Sequence, residues 1–156
     1  MDNKQVARRW FQEVWNNKNP AVISELMDAS AVGVTEGGEI KGPDQFRAAV
    51  YEPLVQAFPD AKISLDGLIA EGDDVVIRWT VTATHKGPLM HLEPTERRVR
   101  FSGMTWQRFR DGKIVGGSDS YNFHGLIAFL SSGDECASVR RAERAEPSFN
   151  VSGVTD

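Results

Sequence analysis

The chain has 156 residues, 40% of them apolar and 26% charged, with a formal net charge of -4 and a pI near 5.4. That length and balance suit one globular domain, and the mild acidity lacks the basic face that a nucleic-acid-binding protein needs. A single cysteine, Cys136, leaves no internal disulfide to form, and the charged N-terminus, with no long apolar run after it, predicts a cytoplasmic protein without a membrane span.

In chain order, Val6, Ala7, Trp10, Phe11 and Val14 recur at helical spacing and predict a helix over 4–16. Asn19-Pro20 then offers an N-cap and a first helical residue for a second, shorter helix striped by Val22, Ile23, Leu26 and Met27. Residues 30–40 read as a short apolar segment followed by a turn at TEGGEI. A third helix opens at Gly42-Pro43-Asp44, carries Phe46, Val50, Leu54 and Phe58, and should kink at Pro53.

From residue 61 the period falls to two. Strands are predicted at 61–70, 75–86, 97–110 and 113–122, joined by turns at Glu71–Asp74 and Asp111-Gly112. In the second of these strands Val75, Ile77, Trp79, Val81 and Ala83 share one face, and His85 continues it. The third changes parity, from Val99 and Phe101 to Met104 and Trp106, which predicts a bulge near Ser102-Gly103. A short helix at 123–131 closes the domain, and 132–156 forms a polar tail. Helices first and strands after give an α+β fold: a curved antiparallel sheet wrapped by three N-terminal helices, with a short C-terminal one.

In the last strand Val115, Gly117, Asp119 and Tyr121 fall on one face. Facing inward, Asp119 would be a carboxyl on an apolar surface, with its pKa raised toward the range a general acid or base uses. Ile114 on the opposite face argues against that facing, and a solvated Asp119 stays open. His85 is a second candidate, either acting on a substrate oxygen or held by a loop carbonyl. Trp10, Trp15, Phe46, Val50, Trp79 and Trp106 are candidate walls of an apolar pocket, with His91 and Asn122 at its margins. His85 and His91 have no familiar metal-ligand spacing, so no metal is expected. Phosphate-loop, nucleophile-elbow and dinucleotide motifs are absent.

The segments AFPD, EGDDVVIRW, THKG and FRDGKI, in this order, make the chain resemble the SnoaL-like polyketide cyclases of the nuclear transport factor 2-like superfamily over about residues 4–130. The resemblance implies a cone-shaped α+β barrel, a homodimer, and a small-molecule pocket inside the cone. It also implies intramolecular aldol chemistry without metal or cofactor on an apolar, carbonyl-bearing substrate. By the same resemblance Asp119 is the acid/base and His85 is the histidine of the THKG segment; with Tyr121, which stands beside Asp119 on its strand, His85 would position the substrate oxygens. Ser118 and Asn122 stand where many relatives have Trp and a second Asp. Isomerase or dehydratase chemistry on the same carboxylate, a binding module for an apolar ligand, an interaction subunit, and epoxide hydrolysis using Arg78 are the alternatives.

Overall fold

The computed structural model describes residues 1–143. Helix α1 (Asn3–Arg9) is capped by Asp2, whose carboxylate accepts from Gln5 N at 2.8 Å while the Gln5 side chain accepts from Asp2 N. It continues directly into a π-helical stretch, Trp10–Asn16, and the five predicted apolar residues of 4–16 are all buried. Helix α2 (Ala21–Leu26) follows.

The expected third helix is present in three pieces: α3 (Gly42–Phe46), a π-helical turn at Arg47–Tyr51, and α4 (Glu52–Ala57). Pro53 has no N–H for the Ala49 carbonyl, so the chain widens by one residue just before it. The predicted kink therefore takes the form of a π turn, closed by Glu52 N to the Arg47 carbonyl.

Among the described residues the sheet has seven strands: β1 (Met27–Thr35), β2 (Gly38–Lys41), β3 (Lys62–Glu71), β4 (Asp74–Thr84), β5 (Arg98–Arg110), β6 (Lys113–Tyr121) and β7 (Val139–Arg141). Their order is β2-β1-β6-β5-β4-β3, with β7 on β5. Three of these strands were not expected. The hairpin β1–β2 occupies the segment read as a loop, and β1 pairs with β6 in parallel, so the sheet is not wholly antiparallel. Helix α5 (Phe123–Ser132) closes the domain on a left-handed Gly133. β7 then pairs with Val99–Phe101, the stretch of the β5 edge that β6 leaves free. Val139 is buried, so part of the expected tail belongs to the core. Residues 144–156 lie outside the described residues.

The predicted bulge exists, but on the other strand. β4 and β5 pair without interruption from Asp74–Arg108 to Thr84–Arg98. The slip falls where Arg108 pairs with Gly116 and Phe109 with Ile114, leaving Val115 as the extra residue in β6. Ile114 and Gly117 thus share the inner face, which removes the objection that Ile114 raised. It also fixes β5: Val99, Phe101, Gly103, Thr105, Gln107 and Phe109 face inward, and Met104 and Trp106 face outward.

Candidate functional site

Helices and the concave sheet face enclose a cavity of about 520 Å³, within the range of small-molecule pockets. Its walls are mostly apolar. Trp10 and Trp15 both pack on Phe46, with ring centroids 5.2 and 6.2 Å away, and Val50, Trp79 and Phe101 complete the wall. The two π-helical stretches supply Trp10, Trp15 and Val50 to it. On the inner face of β1 and β6, Gly33 and Gly117 stand side by side and carry no side chain into the space.

Besides Lys18, Thr35 and Glu36, the polar side chains of the wall come from β5 and β6. Asp119 and Tyr121 both line the cavity, as do Thr105 and Gln107. Thr105 Oγ1 donates to Asp119 Oδ1 at 2.6 Å, and Trp79 Nε1 donates to Thr105 Oγ1 at 2.9 Å. The indole has only a donor to give, so the hydroxyl proton must point at the carboxylate. Asp119 Oδ2 makes no hydrogen bond among the described residues. The accessible part of Asp119 is cavity surface rather than outer surface, and burial raises its pKa above the ordinary 3.8, with the Thr105 hydrogen bond opposing part of the rise. Tyr121 is pushed up to about 12 by burial and by the negative charges of Asp119 and Glu36, so its phenol stays protonated.

Gly103 makes this geometry possible. A Cβ there would fall 2.6 Å from two ring carbons of Trp79 and 2.7 Å from Tyr121 Cβ. The missing side chain lets the indole lie flat across β5 and reach Thr105.

Four residues expected at the site lie elsewhere. Trp106 is 51% exposed on the outer face, because β5 has no bulge to turn it inward. His91 sits exposed on the tight turn between Leu89 and Leu92. Asn122 is used as the N-cap of α5, accepting from Gly125 N at 2.8 Å. His85 does point inward and is fully buried, yet it does not line the cavity. It packs on Phe58, and its Nδ1 faces Thr95, accepting from Thr95 N at 3.2 Å and lying 2.9 Å from Thr95 Oγ1. Burial lowers its pKa, with the Gly87 backbone and Glu96 opposing.

The segments around His85 form a joint instead. Lys86 N and Gly87 N both donate to the Ala57 carbonyl at the end of α4. Asp60 accepts from Thr84 N and Thr84 Oγ1, each at 2.7 Å. AFPD and THKG thus bind each other and fasten the third helix to the end of β4. Arg78 is exposed on the outer face, so among the described residues the arginine-assisted epoxide chemistry has no arginine beside Asp119. Among the described residues no three His, Cys, Asp or Glu side chains converge to hold a metal ion, and no helix is long and apolar enough to cross a membrane.

Thr105 and Gln107 were missed by sequence reasoning because the bulge was placed in β5, which turned their face outward. The signal lay in Ile114, whose apolar side chain was out of step with Gly117, Asp119 and Tyr121.

Comparison with known proteins agrees with this fold. Residues 5–129 match the SnoaL-like polyketide cyclase family. A candidate SnoaL-like polyketide cyclase of Jannaschia sp. CCS1 superimposes with a TM-score of 0.78 at 21% identity, covering 83% of this chain and 92% of that one. AclR of Streptomyces galilaeus, a candidate hydroxylase, is 30% identical with a TM-score of 0.74, covering 86% and 85%. IdmH of Streptomyces antibioticus, a candidate polyketide cyclase, has a TM-score of 0.73 at 20% identity, covering 84% and 99%. No curated protein matches the chain in sequence.

Proposed function

Because the chain belongs to the SnoaL-like polyketide cyclase family, we propose that it closes a ring in an apolar, carbonyl-bearing substrate by general acid/base catalysis at Asp119. The observation that carries this reading is a carboxyl of raised pKa in the wall of an apolar cavity, with one oxygen held by Thr105 and the other without a partner among the described residues. In an aldol closure Asp119 takes the proton from a carbon next to one carbonyl. The resulting enolate attacks the second carbonyl carbon, and Asp119 returns the proton to the alkoxide. The proton moves from carbon to oxygen with no net change at the protein. Oδ2 is the atom that transfers it, and the Tyr121 phenol donates a hydrogen bond to the enolate oxygen.

The test is the cyclisation of a cyclohexanone carrying an oxobutyl arm, a compact diketone, followed by chromatography. Asp119→Asn is expected to lower the catalysed rate by about 10²–10⁴-fold. Equal rates for both proteins would end this reading.

A second reading has one observation behind it, the 30% identity with AclR, a candidate hydroxylase. A product that gains one oxygen atom by mass spectrometry, instead of an isomer of the substrate, would favour it.

We also propose a homodimer formed through the outer sheet face. Ile69, Val76, Trp106, Ser118 and Val34 lie in one cross-strand row there, and Ile69, Trp106 and Val34 are exposed. Sedimentation of Trp106→Glu should then report monomer where the parent chain reports dimer.

A further inference from the structure

Gln107 is a cavity-wall residue that the acid/base chemistry leaves unused and whose geometry asks for a ligand. It is 3% exposed, it lines the cavity, and its Oε1 makes no hydrogen bond with any described residue. The sheet gives it nothing to bond. Its cross-strand neighbours are Val75 on β4 and Gly117 on β6, and beyond Gly117 stands Gly33. An aliphatic side chain would fill the position without burying a polar group, whereas a buried amide without a partner carries a desolvation penalty.

We propose that Gln107 is a specificity residue that binds a hydroxyl group of the substrate. A carboxamide presents an acceptor and a donor at one point, and a hydroxyl is the small group that answers both. Gln107 and Thr105 are two positions apart on the same face of β5, and Thr105 pairs across to Asp119. Two residues of extended strand span about 7 Å. The substrate therefore carries a hydroxyl about 7 Å from the carbonyl that Asp119 serves, with apolar carbon between them. This inference rests on the cavity being the substrate site, and it adds which oxygenated skeletons the site prefers. It does not depend on whether Asp119 performs an aldol step.

Two ligands test it: α-tetralone, and the same ketone bearing a hydroxyl para to the carbonyl. Binding of each to the parent chain and to Gln107→Leu is measured by tryptophan fluorescence. The parent chain is expected to bind the hydroxylated ketone about tenfold more tightly or better, since an unmet buried amide is the alternative. Gln107→Leu should retain α-tetralone and lose the preference. A preference that survives in Gln107→Leu, or a parent chain that binds both ketones equally, would overturn the assignment. If the parent chain binds neither ketone, the cavity reading falls and this inference with it. Should the variant not fold, the side-chain NH2 resonances of Gln107 in the parent chain decide. They should shift with the hydroxylated ketone and not with α-tetralone, and unmoved signals under saturation by the hydroxylated ketone would overturn the assignment.

Discussion

Thr105 donates its hydroxyl hydrogen bond to Asp119 across 2.6 Å because its own oxygen already accepts from the Trp79 indole at 2.9 Å. The indole reaches Thr105 only over Gly103, and Thr105 faces Asp119 only because Val115 bulges from β6. A single chain of contacts, drawn from three strands, therefore orients the carboxyl and restrains the rise in proton affinity that burial causes.

The carboxyl should cost stability. Its folded-state pKa lies above the unfolded value, so the folded protein holds the proton more tightly. Its contribution is fully present below the unfolded value near 3.8 and is lost as pH rises through the folded-state pKa. Asp119→Asn should therefore melt like the parent chain at low pH and above it at neutral pH, by about 1 kcal/mol or about 2–4 °C. Calorimetry across pH checks this. A variant less stable than the parent at neutral pH would contradict it.

Thr105→Val keeps the side chain's shape and removes its hydroxyl. Asp119 loses the hydrogen bond that restrains its pKa, so the acid limb of the rate profile should move to higher pH. Trp79 Nε1 also loses its buried partner, and the expected stability loss is about 1–3 kcal/mol. An unmoved acid limb would show that Thr105 does not tune the carboxyl.

Gly103→Ala should be damaging despite its small size. The added methyl collides with the Trp79 ring and the Tyr121 Cβ, and overpacking of this kind costs about 1–3 kcal/mol. The indole N–H signal in NMR should report loss of its hydrogen bond to Thr105, and an unchanged signal would refute the proposed role of the glycine.

His85 and Asp60 should act on stability and not on chemistry. Asp60 is pushed up by burial, but its hydrogen bonds from Thr84 and the Arg98 charge outweigh this and hold it below its ordinary pKa. Its contribution is present above the unfolded value and is lost as pH falls through the folded one. His85 is buried with a lowered pKa, so protonation as pH falls below about 6.5 works against the fold. Asp60→Ala and His85→Phe should each change the acid side of the unfolding profile and leave turnover per folded molecule unchanged. A large loss of turnover in folded His85→Phe would return the histidine to the reaction.

The helical stripes and the alternation of β4 were legible because their periods are long and regular. Val75, Ile77, Trp79, Val81 and Ala83 are buried as their spacing implies. The hairpin β1–β2 was not legible, since β1 mixes exposed Val32 and Val34 with glycine and takes its place by parallel pairing to β6. The site was half legible. Asp119 and Tyr121 announced themselves by residue type on an apolar strand. Thr105 and Gln107 did not, because one misplaced bulge reverses every facing beyond it. His85 was misleading for a different reason: a recurring motif can hold a helix to a strand as readily as it can hold a substrate.

The most direct test of the acid/base reading is an NMR titration of the Asp119 carboxyl carbon in the ligand-free protein. The account predicts a midpoint clearly above 3.8 that rises further in Thr105→Val. A midpoint at or below 3.8 would mean a solvated or ion-paired carboxylate, and it would contradict the assignment of Asp119 as the proton-transfer group.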